Sequence, residues 1–225
     1  MTKGTSDAHG HVRVLQAGAP LYRAKAAVVM LHGRGAEAEN MLELAEVLAQ
    51  PDLAYLAPQA NDRSWYPYSF LAPIDRNEPF LSSALNMLAR LLDRLESEHR
   101  FGADQIALLG FSQGACLTVE YAARNARHYG GVVGLSGGLI GPESTDRDYH
   151  GHFFGTSVFL GCSDTDPHIP LERVHETSRV LSAHGAAVTE RIYPGMGHTI
   201  NDDEIKHVRA ILASFATRSA ASSTL

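Results

Sequence analysis

The chain has 225 residues, of which 44% are hydrophobic, 20% charged and 8% aromatic; 19 basic and 25 acidic side chains, with twelve histidines counted neutral, give a formal charge of -6. This is enough chain to bury a core without disulfides, and the balance excludes disorder, collagen and coiled coil. A mildly acidic chain without basic blocks excludes nucleic acid as a partner, and the longest apolar run, 26–31, is far short of the roughly 20 residues that span a bilayer.

The first ten residues lack the apolar stretch of a secretory signal, and residues 1–11 are expected to fray. Ala26-Ala-Val-Val-Met-Leu31 reads as a buried strand. Met41, Leu44, Ala45 and Leu48 then fall on one helical face before Pro51. Leu53 to Ala57 is strand-like and leads into a stretch rich in Pro and aromatics, 58–79. Leu81, Ala84, Leu85, Leu88, Leu91, Leu92 and Leu95 form the apolar stripe of a long amphipathic helix.

The segment 105–109 is a strand that runs into Gly110-Phe-Ser-Gln-Gly114 and a helix reaching about Arg124. Further strands are expected at 131–135, 157–160 and 187–193. A helix with Leu171, Val174, Ser178 and Leu181 on its face opens at Pro170. The last helix begins with Asn201 and Glu204 at capping-box spacing, and the small, polar tail 217–225 is expected to fray. Such alternation calls for an α/β fold: a single domain over 1–225 with a mostly parallel central sheet and helices on both faces. Cys116 and Cys162 lie in apolar segments at no metal-ligand spacing and read as free, buried thiols of a cytoplasmic protein.

The G-x-S-x-G pentapeptide at 110–114 follows a strand and opens a helix, the context of a nucleophile elbow. Ser112 is the candidate nucleophile. A hydroxyl is weak near neutral pH and needs a base, and the base needs an orienting carboxylate. His198, in the Gly-rich loop after the last strand, is placed to be that base, with activity falling as it protonates. The loop after the strand at 157–160 offers two acids, Asp164 and Asp166; Asp166 is preferred because it sits at the loop's far end and the following Pro biases it to extended backbone. Leu31-His-Gly-Arg-Gly35 follows an early strand and can present the Arg34 N–H, with that of Gln113, to an oxyanion. His32 precedes the nucleophile and is expected to hold this loop.

LHGRG (31–35), GFSQG (110–114), DPHIP (166–170) and GMGH (195–198), in that order, resemble the phospholipase/carboxylesterase family, the branch of the α/β-hydrolases that includes acyl-protein thioesterases. The resemblance implies the α/β-hydrolase fold, Ser112, Asp166 and His198 as triad, the Arg34 and Gln113 amides as oxyanion hole, and no cofactor or metal. It also places the aromatic stretch beside the site, so Trp65, Tyr66 and Phe70, with Leu139 from a second loop, are expected to wall the substrate pocket. Ala36 and Ala115 stand where the thioesterase branch has Asp and Gly, which points away from long-chain acyl-protein thioesters. The expected activity is hydrolysis of carboxylic esters with small or medium acyl or aryl groups through an acyl-serine. A thioesterase or lysophospholipase, or a non-catalytic binding protein on the same fold, are the alternatives. The expected partner is a small-molecule ester, with homodimerisation left open. The H-x-H pairs His9/His11 and His150/His152 read as loop histidines.

Overall fold

In β2 (Ala26–Leu31) every residue is buried, which is why its sequence is continuously apolar instead of alternating. Ala27, Val29 and Leu31 enter one core cluster while Ala26, Val28 and Met30 enter the other, following the two-residue period of a strand. The computed structural model describes residues 7–222, with side chains through Ser214. Around β2 lie β1 (Val14–Gly18), β3 (Leu53–Pro58), β4 (Ile106–Phe111), β5 (Gly131–Leu135), β6 (Ser157–Ser163) and β7 (Ala187–Tyr193), in the sheet order β1-β3-β2-β4-β5-β6-β7. Only β1 runs antiparallel, against β3; the other pairs are parallel.

Helices cover both faces. α1 (Ala38–Leu48) and α5 (Asp202–Ser222) cover one, through Met41, Ala45, Leu48, Val208 and Leu212. α2 (Phe80–His99), α3 (Gln113–Arg124) and α4 (Leu171–Ala183) cover the other. The predicted stripe of α2 holds: Leu81, Leu88, Leu92 and Leu95 are buried, each contributing roughly 1.5–3 kcal/mol of apolar burial. The capping box of α5 also forms, with Asn201 N–H on Glu204 Oε2 and Glu204 N–H on Asn201 Oδ1, both at 2.9 Å.

Expected fraying over 1–11 is corrected for residues 7–11. His9 is buried, its N–H donates to Ser83 Oγ at 2.7 Å, and its Nε2 meets the Trp65 carbonyl at 3.0 Å. These bonds tie the segment beneath the aromatic loop. At the other end, helical backbone continues to Ser222, so 217–222 are not loose coil; residues 1–6 and 223–225 lie outside the described residues.

The strand order reverses around β2. Its C-terminal loop leads to β3 on one side, while β4, on its other side, leads on to β5. Crevices at such a reversal, beyond the carboxyl ends of the strands, are where open α/β sheets bind ligands. Leu31 pairs in register with Gly110, so the loop of His32 to Gly35 and the turn at Ser112 emerge side by side.

Candidate active site

Ser112 joins β4 to α3 with φ 56° and ψ -120°. Positive φ at a non-glycine residue is strained, at a cost of order 1–3 kcal/mol, and persists only where its surroundings enforce it. Here the Ser112 N–H donates to the Leu135 carbonyl at 2.9 Å and its carbonyl accepts from Cys116 at 3.0 Å. The flanking glycines are required by close approach. A Cβ on Gly110 would lie 2.3 Å from the Gly114 carbonyl oxygen, and one on Gly114 would lie 2.1 Å from that of Leu31. The pentapeptide is a steric solution to pressing helix α3 against two strands.

His198 reaches this turn from the loop after β7. Its Nε2 stands 2.8 Å from Ser112 Oγ and its Nδ1 2.7 Å from Asp166 Oδ2. Phe111 and His168 flank the imidazole at centroid distances of 5.0 and 4.9 Å, limiting its tilt. The Asp166 side chain is fully buried, and its Oδ1 accepts the N–H groups of His168 at 2.8 Å and Ile169 at 3.1 Å. Burial works to raise this carboxyl, but the bonds from His198 and those two amides outweigh it and hold it below its ordinary value.

Asp164 takes a different place. Its Oδ1 accepts the Gly195 N–H at 2.7 Å, while Ser163 Oγ accepts that of Gly197 at 3.2 Å. The end of β6 therefore anchors the histidine loop through 163–164 and meets the imidazole through Asp166.

His32 is buried and neutral. The Ala60 N–H donates to its Nε2 at 3.0 Å, so the ring proton sits on Nδ1, which meets the Gly33 carbonyl at 2.8 Å. Burial lowers its pKa. This fixes the loop carrying Arg34, as expected from its position. Among the described residues, neither the Arg34 nor the Gln113 backbone N–H has a hydrogen-bond partner, and both residues line the same cleft as Ser112 and His198.

A family model described as phospholipase/carboxylesterase matches residues 16–215. The chain belongs to the phospholipase/carboxylesterase family. It is 46% identical to a phospholipase/carboxylesterase of Dyadobacter fermentans of known crystal structure, covering 90% of this chain and 97% of that one with a TM-score of 0.87. It is 26% identical to acyl-protein thioesterase 1 of Saccharomyces cerevisiae over 92% of this chain and 99% of that protein. With acyl-protein thioesterase 1 of Gibberella zeae it shares 30% identity over 118 residues, 47% of that protein's length.

The candidate substrate cleft measures about 490 Å³ and includes Tyr66, Ser69, Phe70, Phe111, Cys116 and Ile169 in its wall. Two expected wall residues are absent from it. Trp65 is buried behind the loop of His32 to Gly35, its indole N–H on the His32 carbonyl at 2.9 Å and its ring 5.0 Å from the His32 ring. It stiffens the loop and does not line the cleft. Leu139 is buried in the core with its N–H on Thr177 Oγ1 at 3.0 Å; α4 packs over it. In their stead come Phe111 from the elbow, Cys116 one helical turn beyond Ser112, and His168 and Ile169 from the acid loop. The i+4 spacing of Cys116 and the presence of His168 and Ile169 in DPHIP were the available signals. Burial pushes the Cys116 thiol up to about 12, so it remains protonated.

The side chains of Arg34 and Gln113 do something their backbones do not reveal. Arg34 Nη1 donates to Ser64 Oγ at 3.1 Å and the Pro67 carbonyl at 2.8 Å, and Nη2 to the Tyr68 carbonyl at 2.6 Å. Gln113 accepts the Trp65 N–H at 2.9 Å and donates to the Tyr66 carbonyl at 2.8 Å. Both grip the loop 64–68, which fixes the cleft wall relative to the free amides.

Proposed function

We propose that the protein is a serine esterase that hydrolyses carboxylic esters through an acyl-serine, with Ser112, His198 and Asp166 as triad. The observation that carries this reading is the continuous hydrogen-bonded line from Ser112 Oγ through His198 to the buried Asp166. In it, His198 Nε2 takes the hydroxyl proton as Oγ bonds to the carbonyl carbon, and Asp166 stabilises the imidazolium. The oxyanion falls to the Arg34 amide, in the loop after β2, and to the Gln113 amide at the start of α3, where the helix dipole adds positive potential. The tetrahedral adduct collapses as the alkoxide leaves with the proton from His198. Water, deprotonated by the same nitrogen, then cleaves the acyl-serine and returns the hydroxyl.

A cleft of about 490 Å³ with Tyr66, Phe70 and Phe111 in its wall suits small or medium acyl and aryl groups. Both cysteines are free and buried, which supports a reducing, cytoplasmic setting; no helix among the described residues is long and apolar enough to cross a membrane. A second reading, thioester hydrolysis, is favoured by the similarity to acyl-protein thioesterase 1 along 92% of the chain. The deciding experiment is Ser112→Ala against a panel of oxygen esters and thioesters, with fluorophosphonate labelling of both proteins. Wild type is expected to label at Ser112 and turn over esters, and the variant to do neither. Undiminished turnover by the variant would overturn the assignment.

A further inference from the structure

The protein carries a formal charge of -6, yet its candidate active-site cleft has no carboxylate in its lining. The ionisable side chains there with cationic character are Arg34, His168 and His198. Arg34 alone is charged at every working pH. Its guanidinium is held by three neutral acceptors, Ser64 Oγ and the carbonyls of Pro67 and Tyr68, and no carboxylate pairs with it among the described residues. Of its five N–H groups these bonds use two on Nη1 and one on Nη2, so the Nε–H and one Nη2–H remain for a ligand.

The rest of the wall near Arg34 is neutral. The Tyr66 hydroxyl is buried beside the Cys116 thiol, and its ring lies 5.9 Å from Arg34 Cζ. The loop that holds the guanidinium is the same one that forms the wall at Tyr66, so the exposed charge is tethered at the rim of the cleft. A cation held in place without a carboxylate partner, beside a cleft that no carboxylate lines, is a recognition element for an anion.

From this we infer that the preferred substrates are esters carrying a carboxylate or a similar anionic oxygen group, and that the Arg34 side chain determines this specificity. The inference rests on the esterase reading above and deepens it. Arg34 then serves through two separate groups: its backbone N–H toward the oxyanion, and its guanidinium toward a remote anionic substituent of the substrate.

The test compares ester pairs that differ by one carboxylate. On the acyl side these are mono-p-nitrophenyl glutarate and p-nitrophenyl valerate; on the leaving-group side, 3-carboxy-4-nitrophenyl butyrate and p-nitrophenyl butyrate. Wild type, R34M and R34K are assayed on each, and the quantity read is the ratio of kcat/KM for the anionic ester to that for its neutral mate. Wild type is expected to favour the anionic ester in at least one pair, which identifies the side of the ester that meets Arg34. In R34M that ratio should fall about 5- to 20-fold, the effect of one charge at about 5 Å in a half-solvated site, whereas R34K should retain most of it.

Loosening of the 64–68 loop lowers both members of a pair together and leaves the ratio unmoved, so selectivity separates charge recognition from support. Should R34M not fold, the wild-type ratio in 0.5 M salt carries the same test, since screening must reduce it. A wild type indifferent to charge, or a ratio unaltered in R34M, overturns this inference while Ser112 still labels. Absence of labelling and of all ester turnover overturns the esterase reading, and this inference with it.

Discussion

Replacing Asp166 by Asn preserves shape and removes one charge, and its consequence follows from three hydrogen bonds. Oδ1 accepts two backbone amides, His168 at 2.8 Å and Ile169 at 3.1 Å, while Oδ2 faces His198 Nδ1 at 2.7 Å. The new amide must choose an orientation. Turning its NH2 toward the two amides would leave two donors unsatisfied, at about 1–3 kcal/mol each. The oxygen therefore stays with them and the NH2 faces Nδ1. A donor there obliges Nδ1 to accept, which puts the imidazole proton on Nε2, against Ser112 Oγ. The ring then has no lone pair for the serine proton.

Loss of this kind lowers kcat about 10⁴-fold in serine hydrolases, or about 5.5 kcal/mol of transition-state stabilisation. Asp164→Ala is the matched control. It removes the acceptor for Gly195 N–H on an exposed loop, about 1 kcal/mol, so activity should remain within about tenfold of wild type. Steady-state hydrolysis of a soluble ester gives both numbers, and nitrogen-15 spectra of the imidazole report the tautomer directly. The reasoning is refuted by an Asp166→Asn enzyme within tenfold of wild type, or by Asp164→Ala as damaged as Asp166→Asn.

Gly114→Ala should destabilise the fold by about 3 kcal/mol or more, read as a lower Tm, because its Cβ would meet the backbone oxygens of Leu31 at 2.1 Å and His32 at 2.6 Å. Trp65→Phe should cost about 1–3 kcal/mol by stranding the His32 carbonyl. It should leave the ranking of acyl chain lengths unchanged, while Phe70→Ala, in the cleft wall, should alter that ranking in the same assay. Glu204 is buried with Oε1 unpaired, and burial, with Asp203 adding to it, pushes its carboxyl up from 4.5 to about 7 against the bond from Asn201. Its contribution to stability is therefore complete below about pH 4.5 and lost as pH rises to about 7, where the unfolded chain ionises and the fold resists. Glu204→Gln should gain up to about 3 kcal/mol on wild type at pH 8 and far less at pH 5, as urea denaturation at the two pH values will measure.

Much of the architecture was legible because each signal was local. The strands 26–31, 131–135 and 187–193 occur with the expected bounds, since their continuous or alternating apolar patterns record burial directly. β1 escaped notice because it is an edge strand, only partly buried, whose VLQAG gains its structure from pairing with β3 and carries little pattern of its own. At the site, Ser112 and His198 were visible because a strand–Gly–turn–helix junction and a Gly-rich loop after a strand are sterically demanding. Asp164 and Asp166 could not be separated decisively by local chemistry, for both are acids on one short loop. What distinguishes them is which one the Gly195 amide captures, a contact across 31 positions.

Of the expected pocket wall, Tyr66 and Phe70 line the cleft, whereas Trp65 and Leu139 do not, for the same reason in reverse. Trp65 looked like substrate wall because an aromatic in a Pro-rich loop beside the site has the right composition. Its indole N–H, however, is used on the His32 carbonyl, and that bond turns the ring away from the cleft. Arg34 and Gln113 were found through the backbone amides that their loops expose, yet their side chains span 33 and 48 positions to seize the Pro67 and Trp65 backbone. A short motif can specify where a serine, a histidine and two amides go, because close packing at the strand ends leaves few alternatives. It cannot specify what the remaining side chain of a motif residue reaches, and substrate choice lies in that reach. The chemistry common to the family is therefore readable from four short segments, whereas the selectivity of this member depends on a guanidinium whose partners are a third of a hundred residues away.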